Sequence, residues 1–535
     1  MSTTLLPPGP WAQSEFGFAR LGDQRRNQRL VNIAEHLAAS PGGTLPQAFP
    51  DWAELKAAYR FFGQRGVSFE RVLAPHLERT RQACRQPGEY LLIEDTTLLD
   101  YSRHPLTEHL GIIGDGGRGF ELHSALAVRI ESWTLEQRPE GTVVGLFDQQ
   151  CRSPRPAPAG ETRKERLSRP RKSQTWAAGI KTAGRPPRGS RWIYVADRES
   201  DFYEPLQICQ QHGVELVIRA CQDRRLADQA GRLKAALAKA PVLGETVVAV
   251  RGRGGQPARQ AVVTLRSVRV NLDGPWRPGG WQAPLRDIGV VEVSEIHAPA
   301  GVKEPLHWIL LTSLPCATWP QVQRVVGYYT ARWWIEEYHK ALKSGTGVEQ
   351  SQLARADRLE PLIAVLAVVA VRLLSTKMLA RSRPESFEAA ASFGLEMLTL
   401  LAAKLGPPKD GWTNRNLVRS VARLGGFIPN SEMGMGGTGD PPVPSGHWPD
   451  GKDRTLALKT DARKSSSAFL VPSGGSPLGT GQRPVLPTEM AAAVSESGSQ
   501  LPCPTGRPAT APIWLSFAMT NANSLTPSLS ASRTA

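Results

Sequence analysis

Two short apolar runs in this chain each close on an acid. "YLLIED" ends at Asp95 and "WIYVAD" ends at Asp197. A run that brief and that apolar suits a strand buried on both faces. A buried strand is rigid, so an acid at its end is firmly aimed. That is where an α/β scaffold places a metal ligand. Each acid taken alone also reads as a turn or cap residue. Glu94, Asp100, Glu199 and Asp201 stand nearby as rival ligands.

The surrounding texture is mixed. "LHSALAVRI", "GTVVGLFDQQ" and "VELVIRA" read as further strands, and "RWIYVADRESDFYEPLQICQQHG" as strand, turn and helix. The stretch from Cys151 to Arg188 is rich in Arg, Lys and Pro and is expected to be partly loop. From about Gly244 to Thr312, β-rich segments dominate: "ETVVAVRG", "QAVVTLRSVRV", "DIGVVEVSEI" and "HWILLTS". The run "LIAVLAVVAV" from Leu362 is interrupted by Arg372. It is shorter than a bilayer span and predicts a buried helix, so no membrane partner is expected.

The first 85 or so residues are helical in pattern. In "LGDQRRNQRLVNIAEHLAAS", Asp23 is a natural N-cap, and Leu30, Ile33, Ala34 and Leu37 recur at helical spacing. Arg25, Arg26 and Arg29 crowd the first turns, where cations oppose the helix dipole. A phosphate partner would account for them. "WAELKAAYRFF" continues the pattern and carries Arg60.

Charge supports that partner. The 535-residue chain carries a formal net charge of +16 and a pI of about 9.8, which suits a polyanion, most simply nucleic acid. Six cysteines are scattered without a CxxC pair, which argues against a zinc ribbon or disulfide framework and fits a reducing, cytoplasmic compartment. The N-terminal "MSTTLLPPGPW" has no basic and apolar leader pattern. Beyond about Gly426 the chain turns rich in Gly, Pro, Ser and Thr, and "GTGDPPVPSG" from Gly437 resembles "GTGQRPVLPT" from Gly479. So few large apolar residues cannot offset the entropy of ordering, and the tail is expected to be disordered.

One stretch concentrates chemistry: "YYTARWWIEEYHKALKSG" from Tyr328. It contains no Pro or internal Gly up to Ser344, so a continuous helix stopped at Gly345 is predicted. At about 100° per residue, Tyr329, Arg332, Glu336, Lys340 and Lys343 share an arc of roughly 80°. Trp334, Ile335, Tyr338 and Leu342 gather opposite, and Glu337 falls on a flank. By itself this also reads as a salt-bridged surface helix. With Asp95 and Asp197 it supplies a third carboxylate. Three such acids can hold two Mg²⁺ or Mn²⁺ ions about 3.5–4 Å apart for phosphodiester chemistry.

These residues carry a family likeness. Tyr329, Arg332, Glu336 and Lys343 fit the pattern Y-x2-R-x3-E-x6-K, and "IEDTT" and "ADRESD" match two acidic motifs of the same family. "WAQSEFGFARLGDQRRNQRL" and "AYRFF" match its DNA-binding domain. The chain resembles the DDE transposases of the insertion-sequence-four family from about Trp11 to Phe427. The resemblance implies an α/β fold with a helical DNA-binding domain over 1–85 and a ribonuclease-H-like catalytic core over 86–427. A β-rich insertion at about 225–312 interrupts that core, and a low-complexity tail covers 428–535. It implies cut-and-paste transposition in a bacterial cytoplasm, with Asp95, Asp197 and Glu336 as catalytic metal ligands for Mg²⁺ or Mn²⁺, two ions in all. Its partners are double-stranded DNA, both the terminal inverted repeats and the target.

The resemblance also implies DNA contacts. Tyr329, Arg332 and Lys343, with Lys340 on the same face, hold the transposon end. Trp308 receives a flipped base and Arg219 lies near the end. Two departures stand out. After "VARLGGF" the family's Trp-rich helical end is replaced at Ile428 by the repetitive tail, which argues against the family's synaptic homodimer. "KSQTW" at Lys172 has Lys and Gln where the family more often shows an acid and Ser.

Rival readings are a relic that only binds transposon ends, a structure-specific resolvase on the same core, and a carbohydrate-acting enzyme with paired carboxylates. The last fits the acids but not the +16 charge.

Overall fold

The computed structural model describes residues 6–424, apart from 156–159, 163–164, 166–171, 251–257, 278–279 and 303. The described residues belong to one compact unit. The tail 428–535, and with it the expectation of disorder, lies outside the described residues.

Helices come first, as the pattern predicts: α1 (Pro8–Phe16), α2 (Gln24–Ala39), α3 (Leu45–Ala48), α4 (Trp52–Phe62) and α5 (Phe69–Cys84). Asp23 caps α2 by accepting from the Arg25 amide at 2.8 Å, and Leu30, Ile33, Ala34 and Leu37 are buried. Strands follow: β1 (Gly88–Asp100), β2 (Gly111–Ile113), β3 (Gly117–Trp133) and β4 (Pro139–Arg152). Then come α6 (Ala178–Ala183), β5 (Ser190–Ala196), α7 (Tyr203–His212), β6 (Glu215–Arg219) and α8 (Leu233–Lys239). The β-rich stretch supplies β7 (Val242–Val250), β8 (Arg259–Leu272), the short β9 (Trp276–Arg277) and β10 (Gly280–Trp281), β11 (Leu285–Glu295) and β12 (His307–Thr312). The chain closes with α9 (Trp319–Thr330), α10 (Trp333–Lys340), α11 (Ala356–Ser382), α12 (Ala390–Leu405) and α13 (Asn414–Leu424).

One mixed sheet organises these elements, in the order β2-β3-β1-β5-β6-β12-β11-β8-β7, with β4 on β3. β1, β5 and β6 are mutually parallel, and the other pairings are antiparallel. Of the strands in the expected β-rich insertion, only the short β9 and β10 pair apart from this sheet, as a two-stranded antiparallel hairpin, among the described residues. β12 pairs with β6, and β11, β8 and β7 extend the same sheet to its edge.

Alternate side chains feed two cores, one on each face, as the two-residue period of a strand requires. Leu91, Ile93, Ile193, Val195, Val217 and Leu310 face the core shared with α9, α10, α11 and the N-terminal helices. Leu92, Tyr194, Leu216 and Leu311 face the core shared with α6, α7 and α8.

The apolar run from Leu362 belongs to α11, a longer element than the run suggested. It has 27 residues, and its most apolar 18-residue stretch has a mean hydropathy of 2.1, long and apolar enough to cross a membrane by length and composition, yet 94% of that stretch is buried in the fold. Burial rather than length marks it as a core helix. Its polar residues are satisfied inside: Arg372 donates to the Leu6 carbonyl at 2.6 Å, and Lys377 pairs with Glu337.

The helix predicted as continuous from Tyr328 is two helices. It starts earlier, at Thr318, where a capping box with Gln321 closes the free amides. It breaks at Ala331–Arg332, where Arg332 and Trp334 bond three residues back, to Tyr329 and Ala331. α10 then ends in a π turn over Ala341–Gly345. Local propensity does not announce this break, because no Pro or Gly marks it.

Candidate active site

The strand register places the acids. The parallel ladder of β1 with β5 ends at Glu94↔Ala196, and that of β5 with β6 ends at Ala196↔Ile218. Asp95, Asp197 and Arg219 are therefore the next residues in one row across three neighbouring strands, which lie about 4.8 Å apart. Asp95 does not close β1 as its sequence suggested, for the strand runs on to Asp100. What ends at Asp95 is its parallel partner, so the side toward Asp197 is open.

Face parity separates the acids. Asp95 and Asp197 follow Ile93 and Val195 on the face covered by α9 to α11, whereas Glu94 points to the other face. There Glu94 is buried and accepts from the Tyr194 hydroxyl at 2.9 Å and the Ala177 amide at 2.8 Å, with His123 at 3.3 Å. Asp201 is consumed by the loop after β6, accepting from the Cys221 and Gln222 amides at 2.7 and 2.8 Å and pairing with Arg224. Asp100 accepts from the Ser102 amide, and Glu199 is exposed on the turn after Asp197. None of these four lines the cleft that Asp95 and Asp197 share.

That cleft has a volume of about 1150 Å³. It gathers Asp95, Asp197, Arg219, Trp308, Tyr329, Arg332, Glu336 and Lys340. Arg332 lies between two of the carboxylates. Its Nη1 is 3.4 Å from Asp95 Oδ2, and its Nη2 pairs with Glu336 Oε1. Burial pushes the Asp95 carboxyl up to about 7; Arg332 opposes this, and the nearby charges of Asp197 and Glu336 add to it. Arg332 is held above its ordinary value, because Glu336, Tyr329 and Asp95 outweigh its desolvation.

Tyr329 is buried rather than presented on an open face. Burial raises its hydroxyl pKa, and its ring meets Trp308 edge to face with centroids 4.9 Å apart. Trp308 on β12 is half-buried, packs against the main core and also lines the cleft. Arg219 donates to the His307 carbonyl at 3.0 Å and reaches toward Tyr329.

Three assignments from the helical arc need correction or completion. Lys343 is outside the cleft and pairs with Glu349 at 3.4 Å, because the π turn carries it away from the Glu336 face. Trp334, expected on the apolar side, does pack half-buried against the core but also lines the cleft. Glu337, expected on a flank, is 1% exposed. It accepts from Trp333 Nε1 at 2.8 Å and pairs with Lys377 on α11. Burial disfavours its charge, but Lys377 and Arg381 outweigh that and hold it at about 2.

Of the N-terminal arginines, Arg25 and Arg60 are exposed and Arg29 is half-buried. Arg26 is committed to the fold, donating to the Leu21 and Arg65 carbonyls at 3.2 Å each.

The sequence reading missed three cleft residues of interest: Arg198, Arg138 and Trp333. Arg198 follows Asp197 directly and could have been suspected from that adjacency. Arg138 sits in a hairpin turn with no motif to flag it.

Among the described residues, no three His, Cys, Asp or Glu side chains are gathered as a ready-made metal site. The donor chemistry nonetheless fits a hard divalent cation. Asp95, Asp197 and Glu336 offer only oxygen, and the Asp95 carboxyl is raised chiefly by burial, with the charges of Asp197 and Glu336 adding to it. Added positive charge would offset those charges. Arg332 supplies part of it in this structure.

Residues 8–67 match the sequence model of the transposase DNA-binding family. Among solved structures, the chain is similar to a piggyBac transposase synaptic complex with hairpin DNA, at 11% sequence identity and a TM-score of 0.28. That match covers 66% of this chain and 61% of the other. A likeness at that score does not establish a shared fold.

Proposed function

We propose that this protein is a metal-dependent DNA transposase of the DDE class, excising an insertion sequence and joining it to target DNA. One observation carries the reading. Asp95, Asp197 and Glu336 line a single cleft with Arg219, Arg332 and Trp308, in a chain whose residues 8–67 match a transposase DNA-binding domain. The motif set supports the finer assignment to the insertion-sequence-four family, near the transposase of the composite transposon Tn-five, with a ribonuclease-H-like core.

Asp95, Asp197 and Glu336 would hold Mg²⁺ or Mn²⁺. Bound there, the ions would activate an attacking oxygen and stabilise the leaving one. The chain's own residues do the rest. Arg332 and Arg219 flank the acids and grip the terminal phosphate, since guanidinium matches phosphate in two-pronged geometry. Lys340 adds charge at the cleft wall. Trp308 takes an extruded base by stacking, a role suited to an indole whose edge is fixed on Tyr329. Arg25, Arg29 and Arg60 contact the end outside the cleft, and Lys343 contacts flanking DNA.

The reaction sequence consistent with this site has four in-line displacements. Water frees a 3′-hydroxyl at the transposon end, and that hydroxyl attacks the opposite strand to form a hairpin. Water then opens the hairpin, and the 3′-end joins target DNA. Pairing of two ends requires a homodimer. The setting is a bacterial cytoplasm, with the protein on the nucleoid when bound.

A second reading is a relic that binds ends without cutting, favoured by the departure from the family at Ile428. A gel shift and a nicking assay on a duplex carrying the element's own end separate the two. Binding with Mn²⁺-dependent nicking supports the transposase, and binding without nicking in any divalent metal supports the relic. Cutting of branched DNA regardless of end sequence would point instead to a resolvase.

A further inference from the structure

The turn between β3 and β4 is built more firmly than a connector requires. Thr134 and Arg138 close it, with the Thr134 amide on the Arg138 carbonyl at 2.9 Å and the Gln137 amide on the Thr134 carbonyl at 3.0 Å. Gln137 takes φ of 56°, a left-handed conformation that favours glycine. The turn is then clamped to α9, the helix that leads to Arg332 and Glu336. The Arg324 guanidinium lies 3.8 Å from the Trp133 ring centroid, and the Trp133 ring meets Tyr328 edge to face at 4.8 Å. Gly327 lets the backbones touch: a Cβ there would stand 2.2 Å from the Gln137 carbonyl oxygen.

What this clamp holds out is not core material. Glu136, Gln137 and Arg138 line the cleft, and Leu135 at the tip is 98% exposed. Arg138 is exposed, with the Glu136 carboxylate as a neighbouring charge. Glu136 is held ionised by the Thr134 hydroxyl and its own backbone amide, and the Arg138 charge lies near enough to act on it. A rigid turn at the cleft wall with a projecting cation and an apolar tip fits the side of a nucleic-acid duplex, where phosphate contacts fix position.

We propose that the β3–β4 turn is a DNA-positioning arm, in which Arg138 contacts a backbone phosphate of the duplex entering the cleft and Leu135 packs on the adjoining sugar edge. The arm rests on the DNA reading above. It adds a phosphate contact on the wall of the cleft that holds the acids.

The test is a salt titration of duplex binding by the full chain, read by anisotropy on a labelled mixed-sequence duplex between about 50 and 200 mM salt. Arg138→Ala should weaken binding and lower the slope of log K against log salt by about 0.9, one phosphate contact. Arg138→Lys should restore the slope. Leu135→Ala should weaken binding with the slope unchanged. Both side chains are exposed, so all three variants should fold, checked by circular dichroism. If wild type binds and Arg138→Ala keeps its affinity and slope, the arm is wrong and the DNA reading stands. If wild type fails to bind duplex at all, the DNA reading falls and the arm with it.

Discussion

Glu337 and Lys377 form an ion pair in the protein interior, one residue along from the cleft carboxylate Glu336. The pair ties the eight-residue α10 to the long α11, while Tyr338 accepts on its other side from Gln149 Nε2 at 2.8 Å. Because α10 is broken from α9, these contacts rather than helix continuity set its rotation. Lys377→Met should strand a buried carboxylate and cost about 3–5 kcal/mol in chemical denaturation. Glu337→Leu with Lys377→Met should recover most of that, as apolar replacement of a buried pair does. A double variant as unstable as the single one would contradict this.

The same pair has a pH signature. Glu337 ionises at about 2 in the folded chain against an ordinary 4.5, so its stabilisation is complete above 4.5 and is lost as pH falls toward 2. The stability gap between wild type and Lys377→Met should therefore narrow as pH falls from 4.5 toward 2. Unfolding curves at a series of pH values check this, and a gap that widens on acidification would refute it.

Gly327→Ala inverts a familiar preference. Alanine in a helix interior is normally better than glycine by about 0.8–1 kcal/mol. Here the added methyl meets the Gln137 carbonyl, so the variant should lose about 1–3 kcal/mol to overpacking. A variant with a higher melting temperature than wild type would mean that the turn moves away without cost.

Much of this fold can be read from the sequence because its signals are local. Asp23 announces α2, and the brief apolar runs announce β1 and β5, since a strand buried on both faces needs apolar residues throughout. The choice of Asp95 over Glu94 was not local. It depends on which face of β1 the α9 to α11 helices cover, a matter of sheet parity and tertiary contact. Likewise the break at Ala331–Arg332 and the departure of Lys343 from the cleft follow from packing, not from propensity. The single arc drawn through Tyr329 and Lys343 assumed one straight helix. Arg332 and Glu336, four apart and paired, keep the spacing that a straight helix would give them.

Trp308 gives a test of the proposed base-stacking role. Stacking on an aromatic is worth about 1–3 kcal/mol per base, so Trp308→Ala should weaken binding of a duplex with an unpaired terminal base by about 5- to 150-fold. Trp308→Phe should keep most of the affinity. Equal losses on fully paired and unpaired duplexes would assign the ring to packing against Tyr329 alone.

The most direct test replaces Glu336 by Gln, which keeps its shape and removes its charge. Cleavage of a duplex carrying the element's own end is measured in Mn²⁺ beside binding of the same duplex. The account predicts that Glu336→Gln binds like wild type and does not cut. Wild-type cutting by Glu336→Gln would contradict it and remove Glu336 from the reaction.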